Sequence, residues 1–410
     1  LRSALVFATL SVIFCFSMFY RVTNAVIAPD LIRDLSLNAE RLGMLGSAFF
    51  YSFALFQIPM GVLLDKIGPR TVITFFSLVG ASGAFIFGLA DSFAASFVGR
   101  TLLGIGMASV LMGSLKVFVI EFPARMFATL SGTIISIGTL GSLLATSPLA
   151  YLNTTIGWRQ TLIYAGMINV ALSIVVFWVL KGSNRNKEGD SLPRAIQDQT
   201  GIGTSLRMVV GSLSFWQISA LAFFRYGTFI ALQGLWLGPY LMDIKGLTQI
   251  KTGNVLMMMS VGMIVGSPIA GYLADRTFRS KKTVILAGLI LYTLCLIPLT
   301  GIFGIDSTLV FSVLLFFTGV FTSFGILLYT HIKELFPLNM SGTAMAGVNF
   351  FVMSGGALFM QVMGNIIESF SHTGHSYPVQ AYHMAFSICL AGMIAGLIFY
   401  AFSKDFRSPR

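Results

Sequence analysis

The chain has 410 residues, of which 56% are hydrophobic and only 10% charged, whereas soluble domains carry about 25% charged residues. That balance excludes a soluble enzyme or a nucleic-acid binder, and a mean hydropathy of +0.85 makes lipid the natural solvent. The formal charge of +11 needs no nucleic acid to explain it, because membrane proteins keep an excess of Lys and Arg on their cytoplasmic side. Cys15, Cys295 and Cys389 lie singly in apolar runs, which fits neither a disulfide framework nor a metal site.

A spanning helix needs about 20 mainly apolar residues, because every backbone polar group must be satisfied within the segment. In chain order the predicted spans are 4–28, 42–64, 71–90, 93–120, 126–152, 160–180, 213–241, 252–274, 283–305, 307–332, 343–367 and 381–402. Three of these carry charge: Arg21 in the first, Arg100 and Lys116 in the fourth, and Arg225 in the seventh. The first reads as a span rather than a secretory leader, since Arg21 interrupts it and no small-residue cleavage site follows. With both termini and the polar segment 181–211 placed in the cytoplasm, 17 of the 26 basic residues fall inside and five outside, an asymmetry that sets the orientation.

Self-similarity runs through the chain at a constant offset of 210: Pro29 with Pro239, Gly43 with Gly253, Gly61 with Gly271, Asp65 with Asp275, and Ser131-Gly132-Thr133 with Ser341-Gly342-Thr343. The expected organisation is therefore a six-helix half (1–180), a cytoplasmic linker (181–211) and a second six-helix half (212–410). Parallel halves of this kind place a binding site near the midplane where they meet.

The sharpest motif is Gly61-Val-Leu-Leu-Asp65-Lys66-Ile-Gly68-Pro69-Arg70, with a shorter copy at Gly271-Tyr-Leu-Ala-Asp275-Arg276. Here the chain resembles the major facilitator superfamily, and with it the branch of organic-anion and sugar-phosphate permeases. The resemblance implies an all-α fold of twelve membrane helices in two pseudo-symmetric halves. It also implies that Gly61, Asp65, Lys66, Gly68, Arg70, Gly271, Asp275 and Arg276 form a conformational latch between the halves. Gly99-Arg100-Thr-Leu-Leu-Gly104-Ile-Gly106 is similar to a second signature of the family. There Arg100 either modulates proton release, steadies the bundle, or snorkels to the outer surface.

Arg21 sits well inside the first span, where an arginine costs a few kcal/mol unless it faces a wet cavity or a partner. It is the leading anion-binding residue, with Tyr20 and Asn24 as polar neighbours. Arg225 in the seventh span resembles the second arginine of organic-phosphate antiporters, whose pair clamps an anion. Its register differs, because Arg21 precedes Pro29 by eight residues and Arg225 precedes Pro239 by 14. Arg225 thus either reaches the cavity or serves the bundle. Lys116 either lines the cavity, pairs with Glu121, or snorkels. Tyr51, Gln57, Gln233, Trp236, Tyr329 and Asn349 are polar or aromatic candidates to complete a pocket.

None of the 15 acidic residues falls at mid-span. An electropositive cavity without an embedded carboxylate favours a negatively charged substrate. Proton coupling would then use Asp30, Glu121, His331 or the substrate's own acid group, with Arg100 as a further participant. The expected function is alternating-access uptake of a small organic anion, a carboxylate, phosphate ester or acidic amino-acid derivative, driven by proton symport. Anion exchange, export and a transporter-like receptor are the alternatives. No cofactor or metal is expected, nor clustered catalytic groups of an enzyme. The partners are substrate, proton or counter-anion and bilayer, for a monomer in the bacterial inner membrane.

Overall fold

The computed structural model describes residues 2–123, 126–181, 207–278, 280–304, 306–371 and 377–405. Most of the predicted linker, together with His372 and His375, lies outside the described residues. Among the described residues ten helices are long and apolar enough to cross a membrane, and counting each of two bent pairs as one span gives twelve. In chain order they are Arg2–Val22, Ala39–Lys66, Pro69–Gly88, Phe93–Glu121, Phe127–Leu144 with Ser147–Ile156, and Trp158–Val179. The second half follows as Leu213–Ile244, Gln249–Thr277, Lys281–Thr300, Thr308–Leu335, Leu338–Glu368 and Val379–Ala401.

The helix ends follow local chemistry. Asn38, Ser92, Thr248 and Ser280 cap their helices by accepting from the backbone N–H three residues on. Gly68 has φ 91° and hands over to Pro69 at the first helical position, so the glycine of the loop motif supplies a turn that a side chain would strain. The outward faces are apolar: Phe75, Trp178 and Leu309 are 59%, 62% and 73% exposed, as expected of surfaces that meet acyl chains.

The first span departs from the expected single helix ending near Pro29. It breaks at Thr23, whose hydroxyl bonds the Phe19 carbonyl at 2.8 Å, and resumes as Asn24–Leu35 with Pro29 inside. Proline removes the donor that would serve the carbonyl four residues earlier, that of Ala25. That carbonyl lies against Gly238 of the seventh span, where an added methyl would overlap it. Pro59 lies at a 53° bend in the second span, and the seventh is loosened by π-helical turns at Leu232–Trp236 and Tyr240–Ile244.

The two halves meet at the end of the bundle opposite to the basic loops. A Cβ on Gly43 would stand 2.7 Å from the Met360 carbonyl of the eleventh span, and one on Gly253 would stand 2.9 Å from Ser147 of the fifth. These two glycines are mates in the sequence repeat. At the basic end the pattern reverses, since Gly61, Gly132, Gly271 and Gly342 would each meet nothing within 4 Å. The halves are packed backbone to backbone at the first mouth, which is shut, whereas these four glycines of the other end have open space beside them.

Candidate functional site

Three arginines are buried in the bundle, Arg21, Arg100 and Arg225, at 5%, 1% and 6% exposure, and no carboxylate is buried with them among the described residues. Because an ion removed from water demands a partner, each guanidinium must find one in other chemistry. Arg21 donates from Nη1 to the Tyr226 hydroxyl across the two halves at 3.3 Å. Its guanidinium lies 4.6 Å from the centre of the Phe53 ring, a cation–π contact, and its Nε has no acceptor. Three residues further on, Asn24 is fully buried with neither amide atom bonded. Tyr20 is also buried with an unbonded hydroxyl.

Arg225 donates at 3.4 Å to the Thr322 carbonyl of the tenth span and packs over Gly325, whose missing side chain leaves it room. Its Nε is likewise unbonded, as are the hydroxyls of Thr322 and Tyr292. Tyr329 stands within electrostatic reach of both Arg21 and Arg225 and donates to Asn349 Oδ1 at 2.9 Å. Six positions of register difference thus still bring the neighbour of Arg225, Tyr226, onto Arg21. The sequence reading passed over Tyr226 and Phe53; the adjacency of Tyr226 to a buried arginine was the available signal.

Other candidates have specific partners. Tyr51 donates to Gln361 at 3.3 Å across the halves, and Gln57 donates to the Ala108 carbonyl at 3.2 Å. Gln233 bonds Ser260 at 2.9 Å and the Trp236 indole donates to the Met360 carbonyl at 3.0 Å. Both bonds stay within the second half, tying its seventh span to the eighth and eleventh.

Lys116 takes a partner other than the Glu121 that its sequence spacing offered. Its ammonium donates to Asp65 at 2.6 Å and to the Leu64 carbonyl at 2.7 Å, because residue 116 is at the same depth as the end of the second span. Glu121 pairs with Arg2 at 3.3 Å instead. Two of its three N–H donors are thereby committed to the end of the second span. Lys116→Gln is expected to leave the substrate concentration for half-maximal uptake within about twofold of wild type, since exposed ion pairs contribute little.

The latch acids do not bridge the halves in this conformation. Asp65 turns to Lys116, and Asp275 to Lys281 at 2.7 Å, each within its own half. Arg70 lies over Phe177 at 3.9 Å and donates to that residue's carbonyl, while Arg276 stacks 5.9 Å from Tyr272. Lys66 and Gly61 belong to the same open end.

Arg100 does not snorkel. It donates at 2.8 Å to the Tyr20 carbonyl and at 3.5 Å to the Leu45 carbonyl, between the rings of Phe49 and Phe87. It ties the fourth span to the residue just before Arg21. Arg100→Ala would strip two carbonyls of their donor and leave a cavity, at a cost of about 3 kcal/mol. A drop of several degrees in the thermal denaturation midpoint of the purified protein is the expected result.

His331 is held at both ring nitrogens, by the Tyr400 hydroxyl at 2.7 Å and the Lys404 carbonyl at 2.9 Å. It secures the end of the twelfth span and stands apart from Arg21. Asp30 lies at the shut mouth, accepting from Arg33, Asn153 and Gln249. Asp30, Glu121 and His331 thus take partners other than Arg21, and Arg100 bonds the carbonyl of its neighbour Tyr20. Among the described residues no group of three or more metal-ligating side chains occurs.

An apolar bundle of two halves, packed together at one end and holding three buried arginines with no carboxylate buried beside them among the described residues, fits a membrane carrier. The chain belongs to the Major Facilitator Superfamily, whose family model matches residues 9–360 and 218–410, and it is a transporter rather than an enzyme. It is 25% identical over 276 residues to a probable sulfoacetate transporter of Cupriavidus necator, a match covering 65% of this chain and 64% of that protein. It is 24% identical over 398 residues to a D-galactonate transporter of Escherichia coli, covering 89% of each. Among solved structures, a bacterial homologue of the human lysosomal transporter Spinster, in an inward-facing conformation, superposes with a TM-score of 0.73 at 17% identity. That match covers 98% of this chain and 95% of the other.

Proposed function

We propose that this protein takes up a small organic anion across the cytoplasmic membrane, driven by the proton gradient and acting as a monomer. The observation that carries the reading is Arg21, buried without a carboxylate and bonded across the halves to Tyr226. An anion entering there would satisfy Nε and offset a charge that the low-dielectric interior penalises. The named substrates of the relatives, sulfoacetate and D-galactonate, are acids, so carboxylates, sulfonates and sugar acids form the first panel, ahead of phosphate esters and acidic amino-acid derivatives. Arg225 and Tyr329 are the partners of Arg21 for the rest of the ligand.

With the basic end assigned to the cytoplasm, the structure is the inward-open state of alternating access, with both termini inside. Because no acid is buried beside Arg21 among the described residues, the coupled proton travels on an edge group such as Asp30, Glu121 or His331, or on the carboxyl group of a carboxylate substrate. The same absence favours a second reading, obligate exchange, because the empty carrier must reorient with its arginines uncompensated. Reconstituted protein is to be assayed with labelled acids under an imposed inward proton gradient. Gradient-driven uptake supports symport, uptake only against an internal counter-anion establishes exchange, and transport restricted to neutral or cationic solutes overturns the reading.

A further inference from the structure

The shut mouth is fastened by two carboxylates in a reciprocal arrangement. Ala39 is the first residue of the second span, and its N–H donates to Glu368 Oε2 at 3.0 Å and to the Tyr377 hydroxyl at 2.9 Å, both from the other half. Tyr377 in turn donates to the same Glu368 oxygen at 2.6 Å. Gln249, the repeat mate of Ala39 at the offset of 210, begins the eighth span. Its amide donates to Asp30 Oδ2 of the other half at 2.6 Å, and Asn153 of the fifth span donates to that oxygen at 2.6 Å. Equivalent helix starts thus each dock on an acid supplied by the opposite half.

Glu368 makes the fastening depend on charge. It is the last residue of its own helix, Leu338–Glu368, where the macrodipole is negative and a carboxylate is disfavoured, whereas the start of the second span presents a positive end and an unpaired N–H. The carboxylate is well placed only while the mouth is shut. Backbones there approach closely enough that a Cβ on Gly364 would stand 2.6 Å from the Ala39 carbonyl, so a small separation breaks the bonds that cross the halves, from Ala39 to Glu368 and Tyr377 and from Gln249 to Asp30. The charged groups on the docking helix, Glu40 and Arg41, are exposed, with Arg41 turned onto Phe93.

We propose that Glu368 and Asp30 are paired gate acids whose negative charge holds this mouth closed, and that neutralising either one shifts the resting carrier toward the state open on that side. The designation of that side as external rests on the orientation given above; the gate itself does not. Spin labels at Thr154 and Ser307, exposed positions on opposite halves of this mouth, report its width in a background with the three cysteines replaced by alanine. Glu368→Gln and Asp30→Asn are each expected to raise the ratio of long- to short-distance populations at least tenfold. Tyr377→Phe, which removes one donor and keeps the charge, is expected to give a smaller rise. Amide hydrogen exchange over residues 36–46, measured in otherwise native sequence, is expected to accelerate in parallel. Unchanged distances and exchange in both charge variants would overturn the proposal. Because neither readout needs substrate, a carrier with no organic-acid uptake but a charge-dependent mouth would sink the transport reading alone.

Discussion

Arg21→Ala is expected to lower uptake of the anionic substrate about 100-fold, because a charge-assisted contact contributes roughly 1.5–3 kcal/mol and 1.4 kcal/mol is a factor of ten. The measurement is initial uptake into proteoliposomes against substrate concentration. Arg21→Lys keeps the charge but loses the planar fork, and its ammonium cannot reproduce both the bond to Tyr226 at 3.3 Å and the contact with Phe53. About tenfold loss is expected there, mostly in affinity. Tyr226→Phe should fall between wild type and Arg21→Lys, because the guanidinium keeps its charge and loses one acceptor. Equal uptake by Arg21→Ala and wild type would remove the basis for an anionic substrate.

Gly238→Val is expected to abolish net transport while leaving the protein folded. A methyl at Gly238 would overlap the Ala25 carbonyl of the opposite half, so the shut mouth could not form, whereas the open state separates the two. The overlap is with backbone, which cannot rotate away as a side-chain tip can. Blocking one of two alternating states stops the cycle whatever the substrate affinity. The check has two parts: a monodisperse protein of near-native thermal stability, and uptake at background level. Gly61→Val, by contrast, faces nothing within 4 Å in this state and should leave this form intact.

The spans, their number and the repeat were legible in the sequence because lipid imposes a local rule: each segment must satisfy its own backbone, so about 20 apolar residues announce a helix without reference to the rest of the fold. Gly68 was legible for the same local reason, its turn requiring a positive φ. The three buried arginines were also visible as charges inside apolar runs, as was the lack of an acid among them.

Partners were another matter. Lys116 was within reach of Glu121 by sequence spacing, yet it lies beside Asp65, 51 residues away. Tyr226 lies 205 residues from Arg21, and Glu368 lies 329 residues from Ala39. No helical periodicity encodes those distances, because they depend on how two halves dock and which mouth is shut. The sequence by itself determined which segments cross the membrane, that they come in two related sets, and that buried positive charge needs an external anion or a neutral partner. Only the tertiary structure decided which partner each charge took, since a hydrogen bond is set within a few tenths of an ångström by packing between helices remote in the chain.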